Sequence, residues 1–275
     1  MSDKKGKRMT FTSFAEQHGL IIRDLIHDRW TRVPTVDHPH KKNGAYIYDG
    51  ASGAVQNWAI HEKPVSFRSK TYTPDPNWQA KRAKAEQLRA NRQNEAIKRG
   101  AYILDNSRKA SHPYLVKKGF TEGKQWVWND LLVIPMRIDG KLVGCQLISQ
   151  DGTKKFLSGQ TTKGAETIID AKGRHILCEG YATALSLRRA IKTAGKRYTI
   201  HVCFSAGNIL EMATKYPSAV ICADNDPTGI RTAISTGKPY WISPSAGEDF
   251  NDYELRVGSE TAGKAFIEAF ALGYP

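Results

Sequence analysis

The chain is short of cysteine, of acidic charge and of long apolar runs, and each shortage removes a class of protein. There are four cysteines in 275 residues: Cys145, Cys178, Cys203 and Cys222. None belongs to a C-x-x-C pair, and each falls within a strand-like apolar stretch. They are expected to be small buried hydrophobes of a reducing cytoplasm, not disulfides or zinc ligands. No apolar run approaches the ~18 residues of a membrane span, so no membrane is expected as a partner. The opening stretch MSDKKGKRMTFTSF is charged and is followed by no apolar core, so no secretory signal is expected. There is no G-x-x-x-x-G-K-S/T loop, which excludes a helicase or ATPase motor of that type within the sequence. Acid is scarce against base: 27 Asp+Glu face 41 Lys+Arg, a formal charge of +14. That surplus suits a polyanion, because neutralising phosphates releases counterions. Hydrophobic residues make up 40%, enough for a real core.

What is present falls into blocks. Residues 10–30 hold a Thr-led apolar-periodic stretch, FAEQHGLIIRDLI, which predicts a short helix. Residues 32–63 carry Gly and Pro punctuation and alternating aromatics, which predict a small β-rich module. Trp30, Tyr46, Tyr48 and Trp58 are its core or a stacking surface for bases. Residues 64–76 contain three prolines and predict an extended linker. The stretch NWQAKRAKAEQLRANRQNEAIKRG predicts a basic helix capped by Gly100. It is either a polar connector or a phosphate-tracking face. Across 110–165, I-D-G-K and Q-D-G-T turns between apolar runs predict an antiparallel sheet. From Arg174 onward, apolar strands (HILCEG, TIHVCFS, AVICAD, PYWIS) alternate with helices near 181–194, 208–216 and 228–236. That alternation predicts a parallel sheet flanked by helices. The expected domains are 1–76, 77–109, 110–171 and 172–275.

Parallel sheets gather functional groups at the carboxyl ends of their strands. Here three strand ends carry acid: Glu179, then Asp224 with Asp226, then Asp249 with Asp252. Crowded carboxylates repel and raise one another's pKa unless a cation offsets them, and hard oxygen donors select Mg²⁺ or Mn²⁺. Each acid also has a plain structural reading. Glu179 suits a helix start, Asp224-Asn225-Asp226 before Pro227 suits a turn, and Asp249 and Asp252 suit a helix cap.

These residues resemble a Toprim domain, the metal-binding fold of primases, topoisomerases and certain nucleases, over about residues 172–257. Glu179-Gly180-Tyr181-Ala182-Thr183 resembles the E-G-Y-A-T motif of plasmid and phage primases, and GEDFND resembles that branch's ending. PYLVKKGF, IPMR-DGKLVGCQLI and TKKFLSG resemble the subdomain that precedes Toprim in primase catalytic cores. The resemblance implies an α/β protein: a Toprim domain preceded by a mixed, largely antiparallel primase-core subdomain and a small N-terminal β-rich module. It implies catalytic Glu179, Asp224 and Asp226, with Asp249 and Asp252 completing the metal set. Arg137, Lys154, Lys155 and Lys163 would hold nucleotide and DNA phosphates, and Gly180, Tyr181 and Thr183 would shape the site.

Primases of this kind commonly carry a zinc ribbon at the N-terminus. The corresponding module here has His38, His40 and His61 but no cysteine, so no zinc is expected. The implied activity is synthesis of short RNA primers on single-stranded DNA from NTPs, with a separate replicative helicase as partner, in the cytoplasm. Glu179 would either bind a second ion or take the proton of the 3′ hydroxyl. The alternatives are a Toprim nuclease and a non-catalytic nucleic-acid-binding accessory.

Overall fold

The computed structural model describes residues 9–69, 78–170 and 172–271, in two compact units that divide between residues 83 and 84. The first unit opens with α1 (Phe11–Gln17), whose first turn is capped by Thr10 accepting the Ser13 N–H. Four strands follow, β1 (Thr31–Val33), β2 (Gly44–Tyr48), β3 (Ser52–Asn57) and β4 (Val65–Arg68), antiparallel in sequential order. The Pro-rich stretch expected to be linker therefore begins as an edge strand: β4 pairs with β3 from Val65 to Arg68, beyond Pro64, where no proline interrupts the ladder. The rest of that stretch, from residue 70, lies outside the described residues. Phe11, Tyr46, Val55 and Phe67 form the core. Of the four aromatics weighed above, Tyr46 is fully buried, whereas Trp30 and Trp58 are about half exposed and Arg32 stacks on Trp58. His61 bonds His18, and His38 faces Asp37.

The second unit is entered by the long helix α2 (Trp78–Asp105). Its described face is largely exposed, with Ala96, Gly100 and Ile103 making a buried stripe at helical spacing. Gly100 does not cap it. The helix continues to Asp105, and Gly100 lies where a Cβ would meet the Gly144 backbone at 3.2 Å. The glycine serves close approach of helix to strand, and sequence alone does not distinguish that from a cap.

The helix packs on one face of a five-stranded antiparallel sheet in sequential order: β5 (Arg108–Ala110), then after α3 (Pro113–Lys117), β6 (Gln125–Trp128), β7 (Leu131–Ile138), β8 (Lys141–Ile148) and β9 (Lys154–Phe156). The expected hairpin turn is present: Asp139 and Gly140 both take positive φ, 48° and 79°.

A second sheet follows: β10 (Thr167–Ile169), β11 (His175–Cys178), α4 (Tyr181–Thr193), β12 (Thr199–Val202), α5 (Ala206–Lys215), β13 (Val220–Ala223), α6 (Pro227–Ser235), β14 (Tyr240–Ile242), α7 (Phe250–Val257) and α8 (Ser259–Ala271). The strand order is β10-β12-β11-β13-β14, with the last four parallel and β10 antiparallel at the edge. The edge strand was not expected, because three residues leave no readable periodicity. Side chains alternate across the sheet. Ile176, Cys178, Val220 and Cys222 share a core with α4, α7, α8 and the inner face of the antiparallel sheet. Leu177, Ile221 and Ala223 pack against α5 and α6. All four cysteines are buried and free. Among the described residues no helix is long and apolar enough to cross a membrane.

Candidate active site

The strand order reverses around β11: its chain successor β12 lies on one side and β13 on the other. A crevice opens at such a reversal, outside the carboxyl ends of the strands. Cys178 of β11 stands level with Cys222 of β13, so Glu179 and Asp224 leave adjacent strands within a residue of the same height. Asn225 then draws in the third acidic loop. Its N–H donates to the Glu248 carbonyl, its Nδ2 donates to the Ser243 carbonyl at 2.8 Å, and its own carbonyl accepts from the Gly247 N–H at 2.7 Å. Asp249, next in sequence, is thereby held beside Asp224.

Asp224 is the centre of this group. Its Oδ1 is buried and has no hydrogen-bond partner. Burial first, then the charges of Asp249, Glu179 and Asp226, push its carboxyl up to about 7, with Lys154 opposing them. Glu179 is raised too, by burial and by Asp226, against Lys154 and a hydrogen bond from the Ala206 N–H. An unsatisfied buried carboxylate among like charges is costly in isolation, and an added cation removes the cost.

The remaining acids are partly engaged. Asp226 caps α6, its Oδ1 accepting from Thr228 N–H at 2.8 Å and Gly229 N–H at 2.6 Å. Gly229 is required there: a Cβ would lie 2.3 Å from the Asp224 carbonyl oxygen. Asp249 and Asp252 form a reciprocal capping box at the start of α7. Both face Lys118, at 3.6 Å and 3.0 Å. Burial pulls the Lys118 ammonium down, but the two carboxylates outweigh it and hold it above its ordinary range.

Among the described residues, no three His, Cys, Asp or Glu side chains stand close enough to cage a metal ion as they are. The acids are near enough to disturb one another's ionisation without closing on a common point. The donor chemistry nevertheless fits a hard divalent ion: oxygen ligands only, one of them a buried orphan.

Of the basic candidates, Lys154 reaches the acids, and its Nζ is 3.9 Å from where a Cβ on Gly180 would stand. Lys155, next along β9, projects to the opposite side by strand alternation and is exposed. Arg137 is exposed and donates to the Gly140 carbonyl at its own hairpin turn. Lys163 is exposed and pairs with Glu211 at 3.2 Å. Gly180 is the N-cap of α4, Thr183 is buried beside it, and the Tyr181 hydroxyl donates to Gln125 Oε1 at 2.8 Å, tying the helix to β6. Lys118, Asn225 and Glu248 were not foreseen as site residues. Glu248 holds Arg256 at 2.8 Å and 2.9 Å and accepts from the Ser243 hydroxyl, which stiffens the third acidic loop.

Residues 174–260 match the Toprim domain family. Structures similar to the chain include one of the bacteriophage T7 lagging-strand DNA polymerase with primase domains of two gp4 subunits bound to an RNA/DNA hybrid and dTTP (13% identity, 60% of this chain and 91% of that one, TM-score 0.41). They also include the DnaG catalytic core (15% identity, 56% and 58%, TM-score 0.38) and a DNA primase domain from Pseudomonas aeruginosa (18% identity, 59% and 56%, TM-score 0.36). The chain thus spans a little over half the length of the latter two. Scores this low leave the chemistry to be argued from the chain's own residues.

Proposed function

We propose that this chain, whose residues 174–260 form a Toprim domain, is a DNA primase that joins ribonucleotides on a single-stranded DNA template. The observation that carries the reading is Asp224: a half-buried carboxylate whose buried oxygen is unpartnered, pushed up to about 7, at the strand-order reversal of the sheet. Glu179-Gly180-Tyr181-Ala182-Thr183 supports the plasmid and phage type. The four free, buried cysteines suit the cytoplasm. A separate helicase would open the duplex ahead of the chain.

Asp224, Glu179 and Asp226 are the residues that would hold Mg²⁺ or Mn²⁺, through the orphaned Oδ1 of Asp224 and the second oxygen of Asp226. Asp249, the N-cap of α7, joins them if Lys118 releases it, while Asp252 completes the capping box from the third helical position. A bound divalent ion would offset charge on the α-phosphate and on the departing pyrophosphate. Lys154 lies at the same edge and binds the triphosphate. Glu179, its carboxyl raised by burial, is suited to accept the proton of the attacking 3′ hydroxyl at its carboxylate. Tyr181 and Thr183 hold the start of α4 and so the aim of Glu179.

The test is incubation with single-stranded DNA, NTPs and Mg²⁺ or Mn²⁺. Short labelled oligonucleotides that vanish in Glu179→Gln and Asp224→Asn support the proposal. Metal-dependent cutting of DNA without NTPs would identify a nuclease instead, and salt-sensitive binding with neither activity a non-catalytic accessory.

A further inference from the structure

The end of the parallel sheet away from the acids is strongly basic and concave. Two adjoining cavities, of about 390 and 570 Å³, share Asp170, Arg188 and Lys192 as common wall. Each falls within the size range of ligand sites. The smaller is lined by Lys172, Arg188, Lys192, Lys196 and Arg197 above a floor of Ile191, Tyr198 and Ile200. Lys172 precedes β11 and Lys196 to Tyr198 precede β12, so this wall stands at the amino ends of the strands. The larger cavity runs beside Gly119 and Phe120 along the middle of α4. From Tyr181 to Lys192 the helix rises about 16 Å, which separates the basic cavity from the acidic crevice.

The arrangement is not that of an ordinary solvated face. Five cations converge on one concavity with Asp170 as the only acid in its lining. None of the five makes an ion pair or a side-chain hydrogen bond with a described residue. Their neighbour Arg189 shows the contrast: it is held at 2.6 Å by both oxygens of the buried Glu254 and donates to the Gly119 carbonyl. Arg188 and Lys192 stand one turn apart, where like charges repel. The helix dipole favours cations at the end of α4, which accounts for Lys192 but not for Lys172, Lys196 and Arg197 converging on it from two other loops. The floor is apolar and carries an aromatic ring, Tyr198, that is only half-buried.

Cations along a groove above a ring and aliphatic side chains match a phosphate run with bases attached. We propose that this groove binds the sugar–phosphate run of a single-stranded nucleic acid, with a base against Tyr198, at a site separate from the acidic crevice. It would hold a strand while chemistry proceeds elsewhere, and it does not depend on the polymerising activity. A free nucleoside triphosphate shares the same chemistry and is the competing occupant.

The experiment uses the full chain carrying Asp224→Asn, in EDTA, so that neither catalysis nor metal contributes. Anisotropy of a fluorescent oligo-dT and of a fluorescent ATP analogue is measured across a salt series. The groove variant is Arg188→Ala/Lys192→Ala/Lys196→Ala, all at exposed positions. A second variant, Lys172→Ala/Arg197→Ala, guards against an effect of the first on α4. The charge-matched control is Lys117→Ala/Lys141→Ala/Arg231→Ala, three exposed cations outside the groove. Losing three phosphate contacts lowers the log–log salt slope for a single strand by about 2 and weakens binding at low salt by about 10-fold or more. The proposal expects this for the triple variant, a smaller slope loss of about 1.4 for the double variant, and neither for the control. Unchanged oligonucleotide affinity and slope, or an equal loss in the control, overturns it. So does a loss confined to the ATP analogue, which would assign the groove to free nucleotide.

Discussion

Glu166, a buried carboxylate, and Asp224, a half-buried one with a buried oxygen, stand at the margins of the same parallel sheet. Glu166, just before β10, meets His201 Nδ1 at 2.5 Å, the Tyr216 hydroxyl at 2.8 Å and Lys215 Nζ at 3.1 Å. His201 in turn meets His175 at 2.8 Å, and Lys215 reaches Asp139 at 2.9 Å. Burial pushes the Glu166 carboxyl up, yet these partners outweigh it and the net shift is downward. Asp224 is half-buried, with an orphaned buried oxygen, three acidic neighbours and a carboxyl pushed up to about 7. Burial alone therefore does not mark a functional acid. Burial with partners makes a joint that fixes the β7–β8 hairpin to β12 and α5, and burial without them leaves a place for a cation to fill.

Exchanging the roles of these two acids in experiment should break the molecule in different ways. The largest effect expected is on synthesis: Asp224→Asn lowers primer formation by about 10³-fold, the scale of losing a principal electrostatic group at a reacting centre. The protein stays folded, which circular dichroism checks. Next, Glu166→Ala leaves His201 and Lys215 facing an emptied site and costs about 3 kcal/mol of stability, read by urea denaturation. Synthesis per folded molecule is retained. If Glu166→Ala abolished synthesis at full stability, the division between joint and site would be wrong.

The pH dependences should separate them further. Asp224 has a folded pKa near 7 against 3.8 for the free group, so the native state binds the extra proton between those values. Its contribution to stability is present below about pH 4 and is lost as pH rises to about 7. The loss is at most about 4 kcal/mol above that pH. Asp224→Asn removes this slope and raises stability at pH 8 by about 2 kcal/mol, and Mg²⁺ stabilises the wild type there but not the variant. Glu166 has the opposite sign: its lowered pKa gives stability that is present above the unfolded value of 4.5 and is lost as pH falls through the folded one. A thermal melt series in pH reads both. The smallest effect is for Lys154→Ala. It removes a cation that opposes the rise at both Glu179 and Asp224, so the pH for half-maximal synthesis shifts upward, with an activity loss of about 10-fold.

The sequence shows the acids more clearly than it shows their surroundings. Glu179 and Asp224 stand at the ends of apolar strands, and the alternation of strand and helix is enough to place them on one sheet edge. The caps were legible as alternatives, because an acid before F-N-D-Y or P-T-G is also a helix-start signal, and the structure has Asp226 and Asp249 in those cap positions. Lys118 was not legible: its partners Asp249 and Asp252 are more than a hundred residues away, and a lysine in K-K-G-F has no local mark of burial. Gly100 carried a misleading mark, since a glycine that permits close packing at Gly144 looks the same as one that ends a helix. The joint at Glu166 was missed because its partners come from β12 and the far end of α5, and no spacing in the chain announces their meeting.

The central claim is that the crevice around Asp224 takes a divalent cation. Electron paramagnetic resonance of Mn²⁺, titrated into the full chain without nucleotide, measures that directly. The account predicts bound Mn²⁺ in the wild type and in Glu166→Gln, with loss of at least one bound ion per chain in Asp224→Asn. Equal Mn²⁺ binding by wild type and Asp224→Asn would contradict it.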